Sequence, residues 1–334
     1  MGGRDADGER QRFCFFGDGE KQMRVGIYSN TDAACGNAEY ASDLKYELDQ
    51  LYPVKCYLGL DADALLACDV ILVSWSPSRV PMDKGLINHF RYVGKKVIVI
   101  WQESYQTIVD PGSWGVEAVL RAADAVVAHE PVTCSFRTID YIPHGIPMIG
   151  HRPTVKGPSV GVAGFPFVWK NFDFVAQIAK DYGLTCRIIA PYHPMLQNNA
   201  GTDFGKLIDL LGNNLSLYQD WMPVQEVVQK LATCTFNMYW FTSQGIVDTL
   251  GQSGSVRMGI AAGRPMVISG HRKMKTLFPY SDELYIEWDE ANARASVEEI
   301  LKSDNPRKPN RVLKEQGWPT VAKQYKDLIE KVAA

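Results

Sequence analysis

The sequence lacks the patterns that mark disulfide frameworks, zinc sites and membrane spans. Its seven cysteines are scattered, odd in number and never arranged as Cys-x-x-Cys, which argues against both kinds of cysteine site and fits a reducing compartment. The six histidines have no metal-ligand spacing, so we expect neither a metal nor another cofactor. No apolar run approaches the roughly 20 residues that cross a bilayer, and we therefore expect a cytoplasmic protein without a transmembrane segment.

The sequence also has little net charge. It contains 35 Lys and Arg against 38 Asp and Glu, a formal charge of -3, so it has no global basic field of the kind that attracts nucleic acid, although a local basic groove stays open. Residues 1–22 are charged and contain glycine, with one short apolar break, and resemble neither a signal peptide nor an anchor. We expect them to form a flexible extension that contributes little to the fold.

The motifs of two large nucleotide-binding classes are missing. There is no Gly-x-x-x-x-Gly-Lys-Ser/Thr, and Gly26, Gly36 and Gly164 do not form Gly-x-Gly-x-x-Gly. The NTPase and dinucleotide-dependent oxidoreductase classes therefore have little support.

Short apolar runs alternate with helical patterns along the whole chain. The runs VILV (70–73) and VIVI (97–100) are apolar without alternation, which is typical of parallel strands covered by helices on both faces. The stretch HRPTVKGPS (151–159) reads as a linker, after which the same rhythm restarts. A chain of 334 residues is long enough for two domains.

This pattern predicts an α/β protein with two Rossmann-like domains that face each other across a cleft near residues 148–158. We assign residues 23–150 to the N-terminal domain and residues 151–320 to the C-terminal domain. The strongly helical segment 321–334 could pack back on the N-terminal domain.

Turns that follow strands are the places to look for a site in such a fold, because helix N-termini there present free N–H groups and a partial positive charge. Gly36 and Asn37 start a helix after the first strand, where they could approach a ligand or simply form a tight connection. His144 and Gly145 in IPHGIP follow a strand near the predicted hinge, and this histidine could equally be a hydrogen-bonded turn residue.

Two turns of the second half suit an anion. Lys170 in AGFPFVWKN precedes a helix and could neutralise a phosphate, although a solvated lysine is the plainer interpretation. Ser253, Gly254 and Ser255 open another helix and offer unpaired N–H groups and two hydroxyls, or they could merely cap that helix.

Two further side chains follow strands of the first half. His129, in DAVVAHE, and Glu103, after VIVIWQ, face the predicted cleft and could do acid–base work or orient an acceptor. Solvated surface positions would explain both equally well.

Taken in order, these segments resemble the GT-B glycosyltransferases, in particular the family 4-like members. The likeness covers most of residues 23–330 and rests on CGNAEY (35–40), IPHGI (142–146), GFPFVWKN (164–171) and AAGRPMV (261–267). The resemblance implies a nucleotide-sugar donor held mainly by the C-terminal domain, with its diphosphate on Lys170 and on the Ser253–Ser255 turn. Gly36, Asn37, His144 and Gly145 would then lie on the cleft and acceptor side.

The sequence departs from the family pattern at two positions. Phe165 stands where the family has an arginine, and Met258 stands where it has a glutamate, so the paired-glutamate signature is absent. We expect Arg257 to supply part of the missing positive charge at the diphosphate, although an arginine there could also point to solvent.

The resemblance implies a hexosyl- or pentosyltransferase that moves a sugar from a nucleotide-diphosphate donor to an acceptor hydroxyl, with retention at the anomeric carbon and without a metal ion. His129 or Glu103 would orient or deprotonate the acceptor, which could be a glycan, a lipid-linked glycan or a modified base of DNA. The alternatives are a nucleotide-sugar epimerase or hydrolase of the same fold, and a binding protein that has lost activity.

Overall fold

Two parallel β-sheets organise the protein, as seen in a computed structural model. The structure describes residues 22–31, 36–76, 80, 84–102, 115–192, 201–242 and 253–334. Each sheet has six strands within these residues, and helices cover both faces of each. The predicted α/β fold with two Rossmann-like domains is confirmed.

The N-terminal sheet has the strand order β2-β1-β3-β4-β5-β6. Its strands are β1 (Val25–Tyr28), β2 (Tyr57–Gly59), β3 (Val70–Trp75), β4 (Lys96–Trp101), β5 (Ala125–Ala128) and β6 (Asp140–Tyr141). The helices described between them are α1 (Gly36–Leu51), α2 (Ala62–Leu65), α3 (Lys84–Tyr92) and α4 (Val116–Ala122).

Strands β3 and β4 show why this chain forms a sheet that is buried on both sides. All six residues of β3 are buried, and in β4 only Lys96 is exposed. Val70 and Leu72 belong to the core that α1 covers, whereas Ile71 and Val73 belong to the core under α3 and α4. The unbroken apolar runs therefore supply both faces of one sheet, because side chains alternate along a strand.

The C-terminal sheet has the order β12-β11-β10-β7-β8-β9. Its strands are β7 (Ser159–Ala163), β8 (Thr185–Ile189), β9 (Leu215–Tyr218), β10 (Phe236–Tyr239), β11 (Met266–Ser269) and β12 (Tyr285–Glu287). Its helices are α5 (Phe172–Asp181), α6 (Phe204–Leu211), α7 (Val224–Ala232), α8 (Gly254–Ala261), α9 (Glu290–Lys302) and α10 (Asn310–Gln316). Short 3₁₀ segments span Val168–Lys170, Gly212–Asn214 and Arg272–Tyr280.

The last helix, α11 (Trp318–Ala333), lies on the N-terminal domain. Trp318, Tyr325 and Ile329 are buried in the same core as α1, and the hydroxyl groups of Tyr325 and Tyr40 are hydrogen-bonded at 2.7 Å. The chain thus crosses between the domains twice. The crossings are tied together, because Ile146 N–H donates to the Gln316 carbonyl at 2.8 Å and Trp318 N–H donates to the Ile146 carbonyl at 3.0 Å.

Helices α1 and α11 contain 16 residues each, the most of any described helix. Even so, no helix in the described part of the chain combines the length and the apolar character that a membrane crossing requires.

Candidate functional site

A cavity of about 200 Å³ lies between the two domains, at the carboxyl ends of both sheets. One wall is the N-terminal half of α1 together with the turn at His144 and Gly145. The other wall is built by the turns after β7, β8 and β9 and by the first turns of α7 and α8. The structure therefore brings the two predicted halves of the site together.

The turn after β7 is shaped to hold a lysine. Gly164 has a φ of +133°, and a Cβ at this position would overlap Lys170 Nζ and crowd Ser255. The chain then continues into the 3₁₀ segment that ends with Lys170. Glycine is required here because it both adopts this backbone conformation and leaves room for the ammonium group.

Lys170 is 5% exposed and lines the cavity. Its Nζ donates to Ser255 Oγ at 3.2 Å and lies 5.4 Å from the centre of the Trp169 ring. None of the salt bridges among the described residues includes Lys170. Burial, and then the charge of Lys273, lower the pKa of Lys170 to about 7. A cation that is desolvated without a described counter-ion is well placed to bind an anion.

The N-terminus of α8 faces the same cavity. Ser253, Gly254 and Ser255 all line it, and the Oγ atoms of Ser253 and Ser255 are 2.8 Å apart. The Ser253 side chain does not cap the helix, so its hydroxyl stays directed at Ser255. Gly259 lets α8 lie close to β10, because a Cβ there would overlap the Tyr239 ring. Free N–H groups, hydroxyls and a lysine thus converge where an anion would bind.

Arg257 borders the cavity one turn further along α8. It is 1% exposed, so the alternative that it points to solvent is wrong. Its Nη1 donates to Gln316 Oε1, while its Nη2 is buried with no hydrogen-bond partner in the described structure. Burial lowers the pKa of Arg257 to about 10, and Tyr141, Tyr280 and Glu130 act in the opposite direction.

The two predicted histidines lie in an aromatic cluster at the domain junction. Tyr40 contacts His129, His144 and Trp318 with ring centres 4.9 to 5.1 Å apart. Burial lowers the pKa of His129 to about 4, and burial together with His129 and Arg257 holds the pKa of His144 well below its usual range. Both imidazoles are therefore neutral at neutral pH. His144 lines the cavity, whereas His129 lies behind it and its Nδ1 is 2.9 Å from the Ile142 carbonyl oxygen.

The remaining predicted site residues are placed as follows. Gly36 is the first residue of α1 and lines the cavity, as does Gly145, against which the Trp318 ring packs. Asn37 is half-buried and does not line it. Glu103 lies outside the described residues.

Two carboxylates that the sequence analysis missed, Glu39 and Asp43, line the cavity on α1. The Val224 backbone N–H, at the start of α7, donates to Glu39 across the cleft, and Trp318 Nε1 donates to Asp43 Oδ2 at 3.1 Å. Burial raises the pKa of Glu39 to about 7, with Asp43 adding to the rise, and burial raises the pKa of Asp43 to about 6. Their spacing of four residues places them on one face of a helix, which is the signal that could have found them.

The apolar part of the cavity is formed by side chains from the turns after β7, β8 and β9. Phe165, the replacement for the family arginine, stacks on Trp221 with ring centres 6.0 Å apart. Pro191 and Met222 line the same end. The position that lost a charge therefore contributes a flat apolar surface instead.

No group of three or more His, Cys, Asp or Glu side chains among the described residues is arranged to hold a metal ion.

The two facing parallel sheets and the cleft between them define the GT-B fold. No protein-family model and no curated protein sequence matches the chain. Among solved structures, similar folds include Anabaena HepE in complex with UDP-glucose, at 9% identity and a TM-score of 0.65, covering 93% of this chain and 100% of HepE. AviGT4, a glycosyltransferase involved in avilamycin A biosynthesis, aligns at 11% identity and a TM-score of 0.61, over 94% of this chain and 98% of its own.

A third similar structure is an alpha-glucosyltransferase in complex with UDP and a 13-mer DNA. It aligns at 13% identity and a TM-score of 0.62, over 92% of this chain and 100% of its own. At these identities the likeness concerns the fold, which agrees with the resemblance drawn from the sequence motifs.

Proposed function

We propose that this protein is a glycosyltransferase that moves a sugar from a nucleotide-diphosphate donor to an acceptor hydroxyl. The observation that carries the proposal is the buried Lys170 beside the N-terminus of α8, in a cleft between the domains of a GT-B fold. The complexes of HepE with UDP-glucose and of the alpha-glucosyltransferase with UDP support this choice of donor class.

The donor diphosphate would bind Lys170, the Ser253–Ser255 turn and the free Nη2 of Arg257. As the bond between the sugar and the diphosphate breaks, negative charge develops on the leaving phosphate. Preorganised N–H groups and cations in a water-poor cavity stabilise that charge more than they stabilise the intact donor. We propose that these groups act without a divalent cation, and that transfer proceeds with retention at the anomeric carbon.

The acceptor would approach from the α1 wall, near Glu39, Asp43 and His144. Glu39 lines the cavity, and its pKa of about 7 suits it to accept a proton from a hydroxyl. His129 is a weaker base because its pKa is about 4, and its position behind His144 suits an orienting role better. The acid–base role of Glu103 stays a prediction.

The acceptor class stays a proposal with three members: a glycan, a lipid-linked glycan or a modified base of DNA. The DNA complex of the similar alpha-glucosyltransferase supports including DNA. Mass spectrometry of products after incubation with UDP-glucose and each acceptor class would distinguish them.

The central experiment compares Lys170→Met with Lys206→Met in UDP-glucose turnover. Lys206 is on α6 with its side chain 78% exposed, so it is a matched surface control. We expect Lys170→Met to lower the transfer rate about 100-fold or more, because a charge-assisted contact to the leaving group is lost, and we expect Lys206→Met to keep the wild-type rate. Equal rates in the two variants would refute the diphosphate site.

Four further measurements test the alternatives, the metal independence and the stereochemistry. Reaction with donor alone would reveal an epimerase or hydrolase, and donor binding without any product across the acceptor panel would indicate a binding protein. Full activity in EDTA is expected, and loss of activity that Mg²⁺ restores would overturn metal independence. Retention is tested by the anomeric configuration of the product in NMR spectra.

A further inference from the structure

Three neighbouring strands of the C-terminal sheet deliver cationic or N–H-rich turns to one edge. The sheet order places β10 between β7 and β11. Lys170 follows β7, the start of α8 follows β10, and Lys273 follows β11 in the 3₁₀ segment Arg272–Tyr280. Carboxyl ends of adjacent parallel strands meet at the same edge, so Lys273 lies on the far side of α8 from Lys170 along the sheet.

Trp169 brings the two lysines together. The Nζ atoms of Lys170 and Lys273 lie 5.4 Å and 5.0 Å from the centre of its ring. An aromatic face attracts a cation, and a single ring shared by two ammonium groups keeps them near each other despite their repulsion. The two ammonium groups therefore share one aromatic ring and are close enough that the charge of Lys273 lowers the pKa of Lys170.

None of the salt bridges between described residues includes Lys170 or Lys273. Burial lowers the pKa of Lys273, and Glu130, at the end of β5 in the N-terminal domain, favours its charged form. Lys170 in turn has Ser255 as its hydrogen-bond partner and feels the repulsion of Lys273. Two desolvated cations in one place are relieved most by a ligand that carries more than one negative charge.

The residues at the carboxyl ends of the C-terminal strands change from apolar to cationic along the sheet, from β9 towards β11. Pro191, Trp221 and Met222 line the end formed by β8 and β9, where a flat nucleobase would find apolar surface. The start of α8 and Lys170 line the middle, and Lys273 follows β11 just beyond the residues that line the cavity at the opposite end. A nucleoside diphosphate laid along this edge would present its terminal phosphate to Lys273.

We propose that Lys273 is a second lysine of the donor site and binds the phosphate farther from the nucleoside. The proposal rests on the proposed function, because it requires that the cleft bind a nucleoside diphosphate. It assigns to Lys273 a contact that a nucleoside monophosphate could not make.

Isothermal titration of UDP and UMP into the wild type and into Lys273→Met tests this assignment. We expect Lys273→Met to weaken UDP binding about tenfold or more and to leave UMP binding within about twofold, because only UDP carries the second phosphate. Lys273→Arg should recover most of the UDP affinity, since it keeps the charge. Lys275→Met is the matched control, because Lys275 is exposed in the same 3₁₀ segment.

The outcomes separate the two levels of the proposal. A wild type that binds neither nucleotide refutes the donor site, and the role of Lys273 falls with it. A wild type that binds UDP, with Lys273→Met binding UDP equally well, refutes the role of Lys273 alone. Equal weakening of UDP and UMP in Lys273→Met, with a lowered melting temperature, would mean that Lys273 only supports the structure and would also refute the assignment.

Discussion

At the scale of single residues, Lys170 is an ammonium group kept from water with a serine hydroxyl as its acceptor. The surrounding residues hold this group in place. Gly164 leaves room for it, and Ser255 accepts its hydrogen bond. The ring centres of Trp169 and Phe241 lie 5.4 Å and 6.0 Å from its Nζ. Burial lowers the pKa of the Lys170 ammonium group to about 7. Binding of an anion should therefore depend on pH in the neutral range.

We predict that UDP affinity falls as the pH rises above 7. The free protein progressively loses the Lys170 proton, so each binding event must take up a proton to restore the ammonium group, and affinity falls by up to about tenfold per pH unit. Calorimetric titrations between pH 7.5 and 9 measure this slope after the phosphate itself is fully ionised. Lys170→Met should bind weakly with a shallower slope, whereas a pH-independent wild-type affinity would contradict the prediction.

The residues that could be found from the sequence are those tied to a strand end by a short motif. Lys170 follows the apolar run of β7 within a few residues, Ser253–Ser255 opens the first helix described after β10, and the structure brings them to one cavity. Lys273 follows its strand equally closely, but its relevance depends on β11 lying next to β10, which the sequence pattern does not specify. Glu39 could not be found in this way, because it lies within the first turn of α1 and its position facing the cavity depends on how the helix is rotated on the sheet.

At the scale of secondary-structure elements, α1 contributes both to the cavity and to the core of the N-terminal domain. Glu39 and Asp43 in its N-terminal half line the cavity. Leu44 and Leu48 of the same helix are buried in the core of the N-terminal domain. Glu39 accepts a hydrogen bond from Val224 N–H at the start of α7, a position that favours a negative charge. Burial nevertheless dominates, because the pKa of Glu39 rises to about 7.

We predict that Glu39→Gln stabilises the protein at pH 8. Because the pKa of Glu39 in the folded state is above its unfolded value of 4.5, the folded state holds the proton more tightly. Stability is therefore lost as the pH rises from about 4.5 to about 7, by up to about 3 kcal/mol. Glutamine has no ionisable group, so the Glu39→Gln variant does not lose this stability as the pH rises.

Urea unfolding at pH 4.5, 6, 7 and 8 measures the effect. The free-energy advantage of Glu39→Gln should be smallest at pH 4.5, grow to about pH 7 and then level off. Glu117→Gln on α4, whose side chain is 40% exposed and ion-paired with Arg121, serves as the surface control for removal of a glutamate charge. An advantage that is the same at every pH would count against the assignment of the raised pKa.

The apolar periodicity predicts the alternation of strands and helices in both domains, but it does not predict the four helices α2, α6, α9 and α10. Helix α2 has only four residues, and α6, α9 and α10 each bury only a narrow apolar stripe. In α9 the buried residues are Ala293, Ser296, Val297 and Ile300, two of which are small or polar. Such a helix is stabilised by its contacts with the sheet more than by a pattern of its own.

At the scale of the whole molecule, α11 joins the end of the chain to the first domain. Trp318 is 3% exposed, its ring centre lies 5.1 Å from that of the tilted Tyr40 ring, and its Nε1 donates to Asp43. Gly145 packs directly against its ring. The same residue therefore supports the domain core, the double crossing and one wall of the cavity.

We predict that Trp318→Ala destabilises the N-terminal domain by about 3–5 kcal/mol, the usual cost of emptying such a site. Hydrogen exchange should become faster in β3 and β4 while protection in β8 and β10 is kept. Trp288→Ala is the control, since Trp288 is 72% exposed in the C-terminal domain. Equal loss of protection in both domains would show that they unfold as one unit.

The double crossing has a consequence for how the molecule is made. A ribosome releases residues 22–150 long before Trp318, Tyr325 and Ile329, which complete the core of that first domain. Domains usually fold as they emerge, the earliest first. Here the second domain, whose core is drawn from residues 146–313, can close while the first still waits for its final helix, so the order of folding is expected to run against the order of synthesis.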